Sequence, residues 1–304
     1  MSPRVAPTSG WDLWQPNVRL LATLALPPRR VAPILSGCDL HYAPTMPRNC
    51  VFCGAPADSQ EHVWPNWAGP MLADEGPLPH FHQVIQEGRP GEERRYSKDA
   101  YSVTVGVVCK ECNNGWMSDL ESRAKPCLET MLQGHGRALH ETGLRTLATW
   151  ALKTSMMVEH THGAKRNVIP GGEYAYLFEH REPSERVRVW MAAYAGTQAV
   201  ALGSMWGLDA ETNETGPRDW EPDRGARDIW GATILFGPVV FQVFGTTLLP
   251  LLEGLEVNAP YTHRIWPYTG GFTWVPRPGF NDHELRAFAD ILVNEFPRRV
   301  PTGS

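Results

Sequence analysis

Two Cys-x-x-Cys turns, Cys50-Val51-Phe52-Cys53 and Cys109-Lys110-Glu111-Cys112, constrain this chain more than any other feature. Each turn reverses the backbone sharply enough for two thiolates to face one ion, and two such turns close a tetrahedral four-thiolate shell. One turn alone could be a redox pair. Two of them, in a chain with no other redox sign, point to a structural Zn²⁺ held by Cys50, Cys53, Cys109 and Cys112. The other two cysteines, Cys38 and Cys127, fall outside the pattern and read as small buried hydrophobes or incidental residues.

Between the turns stands Glu61-His62-Val63-Trp64-Pro65, and the second turn runs on into Asn113-Asn114-Gly115-Trp116. On its own, a Glu-His dipeptide is no more than the polar end of a strand. With an asparagine directly after the second turn, Glu61, His62 and Asn113 become a candidate reactive set. A neutral imidazole titrates near neutrality and can take a proton from water. A carboxylate and an amide oxygen suit a hard divalent ion, Mg²⁺ or Mn²⁺.

The order of these pieces resembles the HNH endonuclease family: Cys-x-x-Cys, an acid-His pair followed by two residues and Pro, then Cys-x-x-Cys and Asn. The resemblance covers residues 50–116, and a helix to about Leu132 completes it. It implies a ββα-metal fold, with the acid-His pair on the first strand and the last ligand on the following helix. It also implies His62 as general base and Glu61 and Asn113 as ligands of the catalytic divalent ion, with DNA as substrate and RNA not excluded. The family's central Asn is missing from residues 101–108, where Thr104 and Ser102 are the hydrogen-bonding side chains. Asn114 is a second candidate for the helix ligand; Asn113 is favoured because it directly follows the cysteine. The Asn-Gly-Trp-Met segment and the Leu147–Thr154 stretch resemble a group of bacterial and phage HNH-related proteins, whose second domain brings no assigned role.

Charge bears on how such a site meets a phosphate. The chain carries a net charge of −5, and residues 46–135 hold eight Lys/Arg against twelve Asp/Glu. A protein that grips DNA by bulk charge is therefore not expected. One that holds a phosphate through a bound divalent ion is compatible with an acidic balance, because the ion supplies local positive charge. A non-catalytic zinc module for protein or nucleic-acid binding is the alternative, favoured by that balance and by the missing Asn.

At 304 residues, with 42% apolar and 20% charged side chains, the chain is long enough for one large or two ordinary soluble domains. No apolar run is long enough to span a membrane. Residues 20–26 are apolar but short, follow Asp12 and end in Pro27-Pro28-Arg29-Arg30, so a signal peptide is rejected and a cytoplasmic location expected. The fold class expected is α+β, in three parts. Residues 1–45 read as a poorly ordered extension. Residues 46–135 form the zinc-stabilised ββα module. Residues 140–304 form a mixed α+β domain, with a protein partner as one role for it.

Element signals support this division. Residues 61–64 read as a short strand ended by Pro65, and residues 80–85 and 101–108 as further strands. Ser118-Asp119-Leu120-Glu121 fits a capping box opening a helix that Pro126 would kink or divide. A helix with one apolar face is expected over residues 144–158, and a strand from residue 186. A hairpin is expected around Gly237-Pro238, and a closing helix capped by Asn281.

Overall fold

The computed structural model describes residues 49–72, 80–86, 89–90, 94–96, 102–161, 168–197, 201–208, 228–257 and 259–289. The expected N-terminal extension and the polar loop of residues 209–227 lie outside the described residues. Strands β1 (Ser59–His62), β2 (His80–Gln86), β3 (Arg89–Pro90), β4 (Arg94–Tyr96) and β5 (Thr104–Val108) precede the second cysteine turn, with one helical turn, α1 (Gly69–Leu72), after Pro65. β1 and β5 pair antiparallel, setting Glu61 opposite Val105 and His62 opposite Thr104. The Val51 N–H donates to Val107 O at 3.0 Å, which adds the first cysteine turn to the same ladder.

Helix α2 (Lys110–Cys112) starts inside the second cysteine turn and runs through a π-helical turn, Asn113–Met117, into α3 (Ser118–Leu132). The expected capping box does not form. Ser118 already has helical dihedrals (φ −63°, ψ −39°), because the helix has begun eight residues earlier at Lys110. Its cap is a cysteine: the Cys109 Sγ accepts the Cys112 N–H at 3.4 Å. Gly115 is the only residue of the turn with non-helical dihedrals, φ −93° and ψ −111°. Pro126 does not divide α3, whose Leu120, Ala124, Cys127, Leu128 and Met131 are buried in one stripe.

After β6 (Arg137–Leu139) the chain enters α4 (Glu141–His160), then α5 (Gly171–His180), β7 (Val187–Ala193), β8 (Ala201–Leu208), β9 (Ile229–Phe236), β10 (Val239–Thr246), β11 (His263–Trp266) and β12 (Phe272–Trp274). The eight-stranded sheet has the order β11-β7-β10-β9-β8-β2-β3, with β4 also on β2. Among the described residues its only parallel pair is β2–β8, which carries a strand from before the second cysteine turn into the sheet built by the C-terminal half. The Gly237-Pro238 hairpin is confirmed; Gly237 sits at φ 57°, which glycine adopts without a Cβ clash.

Both faces of the central strands are covered. Val187, Val189, Met191, Phe241 and Val243 join one hydrophobic cluster, while Trp190, Ala192, Val240 and Phe244 join a second with Leu285 and Phe288 from the closing helix. The period-two alternation of side chains thus sorts them to opposite faces, and burial on both sides explains runs that are apolar almost throughout. The closing helix is capped as expected: Asn281 Oδ1 accepts the His283 and Glu284 N–H groups, and Glu284 reaches back to the Asn281 N–H.

Helix α4 differs from its expected single apolar face. Every residue from Leu147 to Glu159 is buried, so α4 is an internal helix that carries Lys153, Thr154, Ser155 and Glu159 inside with it. One hydrophobic cluster runs from Cys50 through α3 and α4 to Trp274, across the expected boundary near residues 135–140, and Thr45–Ser304 forms one compact unit. Phe236 on β9 is a joint in that core, with its ring 6.2 Å from Trp64, 6.2 Å from Trp67 and 5.3 Å from Trp150. Phe236→Ala is expected to cost about 3–5 kcal/mol. It should lower the midpoint of one cooperative transition seen alike by tryptophan fluorescence and far-ultraviolet dichroism in denaturant. Two separated transitions would show that the two halves fold independently.

Candidate metal centre and adjoining cleft

The two cysteine turns meet. The sulfurs of Cys50, Cys53, Cys109 and Cys112 all lie within 4.8 Å of one another, with Cys53 and Cys109 3.5 Å apart. Four sulfurs bound at about 2.3 Å around a tetrahedral ion stand about 3.8 Å apart, so the spacing and the donor type both fit a metal such as zinc. Local backbone geometry builds each half. The Cys50 N–H donates to Ala55 O at 2.6 Å, the Gly54 N–H donates to Cys50 O at 2.9 Å, and Gly54 takes φ 75°. In the second half Cys109 caps the helix that presents Cys112.

Three of the four thiols are buried and one, Cys53, is exposed. Burial pushes the Cys109 thiol up to about 11 and raises Cys112 further. At Cys50 burial also opposes ionisation, but N–H groups of Cys53, Cys109 and Phe52 outweigh it and the net shift is downward. A divalent ion would reverse the first two shifts, since its charge stabilises thiolates that burial alone disfavours. Arg181 supplies another positive charge nearby. Its guanidinium stacks 4.8 Å from the Trp116 ring and 4.6 Å from Phe178, and Cys112 acts on it electrostatically. Arg181 follows α5 in the left-handed region (φ 60°). Glu159 at the end of α4 helps to place that helix, accepting the Val168 and Ile169 N–H groups and the Tyr174 hydroxyl.

Beside the cysteine cluster an open cleft of about 340 Å³ is lined by Glu61, His62, Asn66, Trp67, Asn113, Asn114, Met117, Ser118, Glu121, Ser122 and Lys125. The three residues singled out from the sequence therefore face one space. Asn113 is oriented by its amide nitrogen, which donates to Ser59 Oγ at 2.7 Å and Gln60 O at 3.1 Å. A carbonyl can only accept, so this end must be the NH₂, and Oδ1 is left over for a ligand. Asn114 is exposed on the same cleft. His62 Nδ1 lies 3.3 Å from the Asn66 amide nitrogen. Thr104, one of the two residues weighed against the missing Asn, is opposite His62 in the ladder.

Glu61 has a partner that the sequence did not disclose. Its Oε1 accepts from Lys153 Nζ at 3.0 Å, and both side chains are buried. One carboxylate oxygen is thereby committed to α4, which leaves Oε2 for the cleft. The available signal was Lys153 itself, the one charged residue of α4 between Arg145 and Glu159. Asn66 and Arg181 carried no comparable signal. Among the described residues, the four cysteines are the one group of three or more His, Cys, Asp or Glu placed to share an ion.

Comparisons with protein-family models, curated proteins and solved structures give no significant match, so the geometry of the chain carries the functional argument. Metal analysis of the purified protein should find one tightly held ion per chain. Cys112→Ser should release it and lower the melting temperature by on the order of 10 °C or more. Full retention of the ion in that variant would show that Cys112 is not a ligand.

Proposed function

We propose that the chain is a metal-dependent endonuclease of the HNH kind, hydrolysing DNA phosphodiester bonds in the cleft beside a structural zinc. One observation carries the reading: Glu61, His62 and Asn113 line a single cleft, on an antiparallel strand pair followed by a helix and next to the four cysteines. The four thiolates would hold Zn²⁺ as a closed shell with no chemical role beyond the fold. Glu61 Oε2 and Asn113 Oδ1 are the oxygens suited to Mg²⁺ or Mn²⁺. Such an ion, when bound, stabilises negative charge on the phosphoryl and leaving oxygens.

His62 acts as the general base. The Asn66 amide nitrogen, 3.3 Å from Nδ1, donates to the ring, so in the neutral imidazole Nε2 carries the proton and Nδ1 is the basic nitrogen. The basic ring nitrogen takes a proton from water as the water oxygen bonds to phosphorus and the bond from phosphorus to the 3′ oxygen breaks. Asn113, tied by its NH₂ to the first strand, keeps the helix and the strand at a fixed separation across the cleft. A second reading, a non-catalytic zinc module that binds protein or nucleic acid, is favoured by the Lys153–Glu61 pair, which offsets the charge of the proposed acid ligand.

Supercoiled plasmid, single-stranded DNA and RNA should be incubated with the full chain and Mg²⁺ or Mn²⁺, beside His62→Ala. Cleavage of DNA by the wild type is expected, and a loss of about 10²–10⁴-fold in the variant with its cysteine-bound metal unchanged. Cleavage that the variant retains in full would remove His62 as base. No cleavage with either ion would leave the binding module.

A further inference from the structure

Lys153 is a buried charged group that the nuclease reading does not use and that touches one of its proposed ligands. It projects from the middle of α4 with 1% of its side chain exposed, and Glu61 is its one partner among the described residues. An ammonium inside a protein persists only when paired, so the two charges hold each other in place. Glu61 is at the same time the one acid that both lines the cleft and sits on the strand beside His62.

The charges that line the cleft are balanced once Lys153 is counted with them. Those that line it are Glu61, Glu121 and Lys125, and Lys153 behind Glu61 balances the second acid. Lys125 also meets Glu129 at 3.4 Å on its own helix. Asn113, Asn114 and Asn66 offer dipoles but no negative charge. A divalent cation entering this cleft alone would meet a carboxylate already offset and would be repelled by a fixed ammonium behind it.

Resting on the nuclease reading, we propose that Lys153 keeps the cleft short of its divalent ion until a nucleic-acid phosphodiester arrives, so that ion and substrate bind together. The phosphodiester brings the negative charge that the protein withholds. The remaining Glu61 oxygen would hold the ion beside the phosphate, and Lys153 holds that carboxylate in one orientation throughout. Lys153 is thus a positioning residue, and α4 is part of the site although it does not line the cleft. Reciprocity follows: whatever factor DNA adds to the affinity for the ion, the ion adds to the affinity for DNA.

The test is a Mn²⁺ titration of the full, zinc-loaded chain, read by the electron paramagnetic resonance of free Mn²⁺, with and without a short DNA duplex. A His62→Ala background keeps the duplex intact. The parent is expected to bind Mn²⁺ at least about tenfold tighter with DNA than without, and Lys153→Met to gain about tenfold or more without DNA. A charge-balanced double variant, Glu61→Gln with Lys153→Met, leaves no unpaired buried charge and guards against misfolding of the single one. It should bind no Mn²⁺ beyond that held by the DNA itself. Equally tight binding by the parent with and without DNA would overturn the proposal and leave the nuclease reading standing. Retained, DNA-dependent binding by the double variant would show that Glu61 is not the anchor and would also overturn it. Absence of Mn²⁺ binding under every condition would remove the nuclease reading and the proposal together.

Discussion

The convergence of four thiols on one point is the contact on which the rest depends. It joins the turn before β1 to the start of the long helix, two segments that also meet through the Phe52 ring on Trp116. Cys109 contributes twice, as a member of the cluster and as the cap that accepts the Cys112 N–H in the first turn of the helix. With burial raising the pKa of Cys109 and Cys112, those two thiols have little to hold them against the other pair. A cation at the centre of the four would supply that attraction and lock the two turns into one corner. The cleft opens beside this corner, so its shape is set by the same constraint.

A second buried contact connects the corner to the rest of the molecule. From Leu147 to Glu159 helix α4 is enclosed, by α3 on one side and by strands of the eight-stranded sheet on another, and it delivers Lys153 to Glu61 from 92 residues away. A buried ion pair of this kind does not by itself add much stability, because desolvating both charges offsets their attraction. Its effect is geometric: breaking either half leaves a lone charge in the core, so the pair fixes the register of α4 against β1. The aromatic group of Trp64, Trp67, Trp150 and Phe236 fills the space around it with uncharged bulk. Cleft, helix and sheet are for that reason one packed body instead of a module with an appendix.

Much of this was legible in local pattern. The cysteine spacing gave the metal cluster, the Gly237-Pro238 turn gave the β9–β10 hairpin, and Asn281 with Glu284 gave the closing helix, because each signal is complete within a few residues. The long-range features were not. The parallel pairing of β2 with β8 depends on two segments far apart in sequence, and α4 read as amphipathic although Lys153 and Glu159 are buried with partners elsewhere. Ser118 and Glu121 matched a capping box, but a helix already started by Cys109 leaves no terminus there to cap. Glu61, His62 and Asn113 were legible as a set that could share a cleft; the ammonium behind Glu61, which decides how the cleft treats a cation, was not.

The central claim is that Glu61 and Asn113 present oxygens to one divalent ion at the cleft while the cysteines hold another. Anomalous diffraction from crystals of the full His62→Ala chain grown with Mn²⁺ and a short DNA duplex tests it directly. A metal-dependent nuclease site predicts two separate peaks: one at the zinc edge among Cys50, Cys53, Cys109 and Cys112, and one at the manganese edge within coordination distance of Glu61 Oε2 and Asn113 Oδ1. A manganese peak absent from the cleft, with DNA bound and the cysteine peak present, would contradict it.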